Sequence, residues 1–195
     1  MIKKFLLVMM FAILLGGCGK SSDDARTTNN ANTTNVGNRS VSGVARKGAK
    51  MPDFSLKTID GDVVKISDLR GKAVIIDLWA TWCAPCRREI PGFINIVKKY
   101  PADDVAIIGI SMDNRISPSQ LKGFAQQMGM NYPVAMLMEN QSIMSIFADV
   151  RSIPTTYIVD TEGNIVDRVV GMAPQSYFEN RIQSILKNRS AKQGV

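Results

Sequence analysis

Cys83 and Cys86 stand three positions apart in the stretch Trp79-Ala80-Thr81-Trp82-Cys83-Ala84-Pro85-Cys86-Arg87-Arg88. Two thiols at this spacing can cycle between dithiol and disulfide, form a structural disulfide, or supply half of a zinc site. Zinc is the weakest of these. A structural site needs four ligands, the chain contains no histidine, and its only other cysteine, Cys18, has a separate use described below. A structural disulfide is the alternative that the residues leave open. The stretch follows the apolar run Ala73 to Leu78 and precedes a helical pattern, so it reads as a strand-to-helix turn. At a helix start several backbone N–H groups lack an intrahelical partner, and the dipole is positive. A Cys83 thiolate there is stabilised and becomes the nucleophile, while Cys86, one turn further in, is the more buried resolving thiol. Pro85 fits the first turn, where its missing N–H costs little.

The elements that must position this pair can be read on either side. Asp53-Phe54-Ser55-Leu56 and Val63-Val64-Lys65-Ile66 form short strand-like runs about the turn Asp60-Gly61-Asp62, which predicts a hairpin. Ser67 to Lys72 reads as a turn or helical hook. Ala73 to Trp79 is apolar except for Asp77 and rich in Val and Ile, as a strand buried on both faces should be. A helix is expected from about Cys83 to Tyr100, burying Ile90, Phe93, Ile94 and Val97 and kinking at Pro91. Val105 to Ile110 is a second buried strand, joined to the first by a right-handed parallel crossover. Ser117 caps a helix that ends near Met128. Beyond it come a strand over Tyr132 to Leu137, a short helix over Asn140 to Phe147, and a hairpin of Thr155 to Asp160 with Ile165 to Val170. A last helix runs to about Asn188, and the tail 189–195 is expected to fray.

The 195 residues and 45% hydrophobic content suit one domain with appendages. The formal charge of +7 is unevenly placed. Lys3 and Lys4 lie at the start, residues 18–49 carry five basic and two acidic side chains, and residues 50–195 carry seventeen and fifteen. The folded part is therefore nearly balanced, which argues against nucleic-acid binding. Residues 1–17 read as a secretory signal, because Lys3-Lys4 precedes the apolar run Phe5 to Leu15, which is short for a membrane span. Leu15-Gly16-Gly17-Cys18 resembles the lipobox of bacterial lipoproteins, whose cysteine is lipidated and begins the mature chain. An uncleaved anchor or an ordinary signal peptide is the alternative. Either way the domain lies outside the cytoplasmic membrane, in a compartment that permits disulfides. Residues 18–49 are rich in Ser, Thr, Asn and Gly and read as a flexible tether. The domain proper is expected over 50–188.

Trp79-Ala80-Thr81-Trp82-Cys83-Ala84-Pro85-Cys86, followed by Ile153-Pro154-Thr155-Thr156, resembles the thioredoxin superfamily. Gly48, Pro52, Phe54 and Leu56, together with Ile66-Ser67-Asp68-Leu69-Arg70-Gly71-Lys72, are similar to its membrane-tethered branch, the TlpA/ResA-like thiol:disulfide oxidoreductases. The resemblance spans about Gly48 to Lys187. It implies an α/β thioredoxin fold, a central mixed β-sheet flanked by helices, with an N-terminal β-hairpin and a central αβ insertion over about Ser111 to Val150. It implies redox catalysis at Cys83 and Cys86 without a cofactor. It also implies a cis Pro154, with the backbone of Ile153 beside the cysteines where a substrate peptide can pair, and Trp82 as a contact surface. Asp77 aligns with the buried acid of thioredoxins, where desolvation raises the pKa and lets it exchange the proton of Cys86. A partly solvated strand-end carboxylate is the alternative for Asp77, as a packed cap over the site is for Trp82.

The chain also departs from these relatives, which often carry an acidic residue in or next to the cysteine motif and commonly lack the aspartate. Here the inter-cysteine pair is Ala84-Pro85, so apocytochrome c as a substrate is left in doubt. The expected protein is an extracytoplasmic lipid-anchored reductant of disulfide-bearing envelope proteins, supplied by a membrane thiol donor of the DsbD/CcdA type and acting as a monomer. Its rivals are a thiol peroxidase, for which a nucleophile shared with a C-x-x-C is unsuited, and a non-catalytic binding module. If Cys18 carries the anchor, Cys18→Ser releases the protein from the membrane fraction and leaves its redox activity intact. A single acyl chain binds only marginally, so stable attachment requires multiple acylation. A variant that stays in the membrane fraction would identify Phe5 to Leu15 as an uncleaved anchor.

Overall fold

The computed structural model describes residues 43–193. The signal segment, Cys18 and the tether as far as residue 42 lie outside the described residues. A short antiparallel pair, β1 (Ser55–Lys57) and β2 (Val63–Lys65), precedes a 3-10 turn over Ile66–Leu69. The main sheet contains β3 (Ala73–Trp79), β4 (Val105–Ser111), β5 (Val134–Met136), β6 (Thr155–Val159) and β7 (Ile165–Val170), with helices α1 (Ala84–Lys99), α2 (Pro118–Gln127) and α3 (Gln175–Gln193). The strand order is β5-β4-β3-β6-β7. β3, β4 and β5 pair in parallel, whereas β6 is antiparallel to both β3 and β7, so the sheet is mixed as expected.

β3 holds the centre, and all seven of its residues are buried. Because side chains alternate across a strand, it feeds two separate cores. Ile75 and Trp79 pack with Ile90, Phe93, Phe178 and Ile182 beneath the helices. Val74, Ile76 and Leu78 pack on the other face with Phe54, Leu56, Phe147 and Tyr157. That second face is covered by the N-terminal hairpin and the segment before β6. α2 begins with Pro118 after a complete capping box, in which Ser117 and Gln120 bond each other's backbone N–H.

Three expectations are corrected. Residues 43–49, assigned by composition to the tether, pack onto the domain. Ala45 is fully buried and donates to Ile146 O, Gly48 N–H donates to Ile165 O, and Lys47 pairs with Asp167. A small apolar side chain and a few backbone bonds suffice there, which composition over thirty residues averages away. Asn140 to Phe147 forms no α-helix. Two 3-10 turns, Leu137–Glu139 and Gln141–Ile143, flank Asn140, whose amide donates to Lys57 O and Met136 O. A side chain that bonds distant backbone competes with helical continuation. Finally, α3 continues past Asn188 to Gln193. Arg189 donates to Gly71 O and pairs with Asp104, and Lys192 pairs with Glu162. Deleting residues 189–195 should therefore cost about 1 kcal/mol of stability, since a forked guanidinium bonding two acceptors exceeds an ordinary surface pair. An unchanged denaturation midpoint would mean that this end of the helix frays after all.

Candidate active site

The parallel pairing of β3 and β4 ends with Trp79 opposite Ser111, so the turns that follow both strands emerge at one end of the sheet. The antiparallel register of β6, with Leu78 opposite Thr155, brings Ile153 and Pro154 to the same end. Cys83 is the N-cap of α1 in extended conformation. Its Sγ accepts from Cys86 N–H at 3.3 Å, so one of the helix's orphan donors points at the sulfur. Cys83 and Cys86 are joined in a disulfide, with Cα atoms 5.3 Å apart. Both cysteines are buried, Cys86 fully and Cys83 with a slight remaining exposure. The Ile153–Pro154 bond is cis, with Pro154 buried and Ile153 half-buried. Trp82, next to Cys83 in the chain, is 69% exposed, so it is a surface and not a packed cap.

Asp77 lies on the helix-facing side of β3, two residues before Trp79. It is buried, accepts from Thr156 Oγ1 at 3.4 Å through one oxygen, and has no partner for the other among the described residues. Burial holds its carboxyl well above the usual range, and the neighbouring charge of Glu89 adds to the effect. The solvated strand-end alternative is thus excluded. Gly109 stands opposite Asp77, where an added Cβ would lie 2.9 Å from Trp79 Nε1 and 3.3 Å from a Tyr132 ring carbon. Glycine here lets both rings approach the sheet.

Two residues escaped the sequence reading. Glu89 is one turn beyond Cys86 on the buried face of α1. Its Oε1 accepts from Ala173 N–H at 2.8 Å, its Oε2 is unpartnered, and burial raises its pKa from 4.5 to about 7. The signal was present in the spacing Cys86, Glu89, Ile90, Phe93, which is a single helical stripe, although the preceding Arg87-Arg88 disguised it as a solvated run. The expected departure from a nearby acid is therefore smaller than the motif suggests. Asp113 is the second. Also buried, it accepts from Thr81 N–H at 2.9 Å, Thr81 Oγ1 at 2.8 Å and Ser111 Oγ at 2.8 Å. With Met112 N–H donating to Trp79 O at 2.7 Å, this ties the turn before Cys83 to the end of β4. No local pattern marks Asp113, because its partner is thirty-two residues away.

Residues 47–168 match the AhpC/TSA family. The chain belongs to that family. It is 36% identical over 138 residues to the thioredoxin-like protein YneN of Bacillus subtilis, covering 70% of this chain and 79% of the relative. The thiol-disulfide oxidoreductase ResA of the same organism is 30% identical over 154 residues, covering 79% of this chain and 82% of that one. Among solved structures, a thiol:disulfide interchange protein, DsbE, from Chlorobium tepidum superposes with a TM-score of 0.63 at 30% identity over 73% of this chain and 99% of its own. A pneumococcal exposed lipoprotein thioredoxin from Streptococcus pneumoniae gives 0.58 at 26% identity over 68% and 98%. The fold is therefore thioredoxin-like, and with the disulfide of Cys83 and Cys86 the chain is a thiol-disulfide oxidoreductase of the ResA/DsbE type.

The buried acids make stability depend on pH. Both have folded pKa values above their unfolded ones, so the unfolded chain releases protons that the folded one keeps and stability falls as pH rises, for Glu89 between about pH 4.5 and 7. For Glu89 the displacement corresponds to roughly 3 kcal/mol, which solvent reaching the adjacent cleft reduces to about 1–2 kcal/mol. Chemical denaturation of the oxidised protein should show this loss between about pH 4.5 and 7, and Glu89→Gln should flatten it. A wild-type profile that is level or rises over that interval would refute the assignment.

Proposed function

We propose that the protein is an extracytoplasmic, lipid-anchored reductant that delivers two electrons to disulfides of envelope proteins. The observation that carries the reductive direction is the chemistry around the sulfurs. Two buried carboxylates, Asp77 and Glu89, lie on the side of α1 and β3 that encloses Cys86. A carboxylate, when ionised, disfavours a nearby thiolate, and a dithiol that is poorly stabilised gives up its electrons more easily. Ala84 and Pro85 bring no charged or hydrogen-bonding side chain between the cysteines, and Ile153 before the proline is apolar. Arg87 and Arg88 act in the opposite sense, but both are exposed and solvent screens them.

The reaction begins with the Cys83 thiolate at the head of α1, where the Cys86 N–H stabilises it. It attacks one sulfur of the partner's disulfide. That S–S bond breaks, a Cys83–partner bond forms, and the partner's other sulfur leaves as a thiolate and takes a proton from water. Cys86 then gives its proton to Asp77 and attacks Cys83 Sγ, expelling the second partner thiolate, which is protonated in turn. The partner has gained two electrons and two protons, and the protein holds the Cys83–Cys86 disulfide. Glu89, protonated over part of the neutral range, serves the same buried space as a second reservoir for that proton. Trp82 and the Ile153 backbone before Pro154 receive the partner segment.

A membrane thiol donor of the DsbD/CcdA type restores the dithiol, and the protein works as a monomer. Cys18 as the lipidated residue follows from the lipobox-like sequence, and the pneumococcal relative described as an exposed lipoprotein supports it. Among substrates, apocytochrome c is the one offered by the ResA-like resemblance.

The expected outcome is catalysis of insulin reduction by dithiothreitol without peroxide consumption, and a potential closer to about −270 mV than to about −120 mV on equilibration with glutathione. These limits differ by roughly 7 kcal/mol for two electrons, so the measurement is decisive. A value above about −180 mV would make the protein an oxidase or isomerase.

A further inference from the structure

The described residues contain nine arginines. Arg168, Arg181 and Arg189 pair with Asp149, Asp167 and Asp104, while the other six make no ion pair among the described residues. Four of those six, Arg87, Arg88, Arg115 and Arg151, are exposed on the segments that meet at the disulfide. Arg87 and Arg88 follow Cys86 on the first turns of α1. Arg115 is in the turn after β4, and Arg151 comes three residues before Pro154. Residues 80–89, 112–117, 150–154 and 171–175, which together form this end of the domain, contain two acids, both buried: Asp113, whose oxygens are committed to Thr81 and Ser111, and Glu89, which accepts from Ala173 N–H. The remaining basic and acidic residues from position 50 onward number thirteen each, so the excess positive charge of the folded part is gathered here.

Two clefts border the same region. One, of about 460 Å³, has Trp82 and Thr81 on one wall and Asn114, Arg115 and Ile116 on the other. The second, of about 410 Å³, is bounded by Arg88, the buried Glu89 and Pro91 from α1 and by Met172 and Pro174 from the β7–α3 connection. Each cleft therefore combines an exposed apolar side chain, Trp82 or Met172, with one uncommitted guanidinium. A guanidinium is a rigid fork that matches a carboxylate with two parallel hydrogen bonds, a short-range match that does not depend on a long-range field.

We propose that this arginine-rimmed face selects disulfide-bearing polypeptides with acidic residues flanking the cystine, an Asp or Glu on either side engaging Arg115 and Arg88. The proposal rests on the thiol-disulfide oxidoreductase reading and adds the charge of the partner. Positive rims of this kind act mainly on encounter and discrimination: opposite charge raises the association rate, and like charge is penalised. A partner whose cystine lies among lysines is disfavoured at this face even though the sulfur chemistry is identical.

The test uses the full chain, reduced, and two synthetic disulfide-bridged peptides that differ only in carrying glutamates or lysines beside the cysteines, with insulin as a third substrate. At about 20 mM ionic strength the acidic peptide should be reduced about tenfold faster, by kcat/KM, than the basic one, and the gap should shrink to about twofold at roughly 0.5 M salt. The double variant Arg88→Glu with Arg115→Glu should reverse the preference, and its insulin activity shows that it is folded. Equal peptide rates with insulin still reduced, or a preference unaffected by salt and by the double variant, would overturn this proposal alone. Failure to reduce all three substrates would overturn the oxidoreductase reading and the proposal with it.

Discussion

The parallel pairing of β3 with β4 is the constraint from which the catalytic end follows. Seven consecutive residue pairs, from Ala73 with Val105 to Trp79 with Ser111, fix the two strands against slippage. A slip of one residue would turn the Ile75, Asp77 and Trp79 side chains to the opposite core. The register fixes where the chain after Trp79 and the chain after Ser111 emerge, and Asp113 joins them by three hydrogen bonds through Thr81 and Ser111. Cys83 thus leaves a rigid platform and begins α1 with its sulfur against an unused N–H. Preorganisation of this kind places a reactive group on strand and helix ends, with little left to loop motion.

The same burial that makes β3 rigid makes Asp77 costly. A carboxylate with one weak hydrogen bond and no counter-ion is expensive to ionise, and Glu89 nearby makes simultaneous ionisation of both more so. Asp77 Oδ2, Glu89 Oε2, Trp79 Nε1 and Tyr132 OH are all buried without partners among the described residues. Natural cores rarely keep such groups without use. Here they lie on the helix-facing side of the sheet that also encloses Cys86, which is the placement that the proposed proton exchange with Cys86 calls for.

The architecture was legible because its signals are local. The apolar run of β3, the Ser117 cap and the Pro85 and Gly61 punctuation each state a structural role within a few residues. The cysteine pair was legible for the same reason. What was hidden depends on contacts remote in sequence. Asp113 looks like a loop aspartate until the crossover brings Thr81 beside it, and Asn140 looks helical until it meets Lys57 across the hairpin. Ala45 looks like linker until Ile146 supplies a carbonyl. Glu89 is an intermediate case: its helical stripe was readable, but its burial depends on Ala173 at the start of the final segment.

α3 closes the core from the far end of the chain. Phe178 stacks on Phe93 with ring centroids 5.0 Å apart, and Ile182 and Ile185 complete the same cluster. A ribosome or a secretion channel delivers a polypeptide from its N-terminus, so about ninety residues follow Cys86 before this last layer arrives. During that interval the cluster to which both cysteines belong lacks Phe178, Ile182 and Ile185. The core beneath the disulfide is therefore completed late, and its final packing belongs to the finished chain alone.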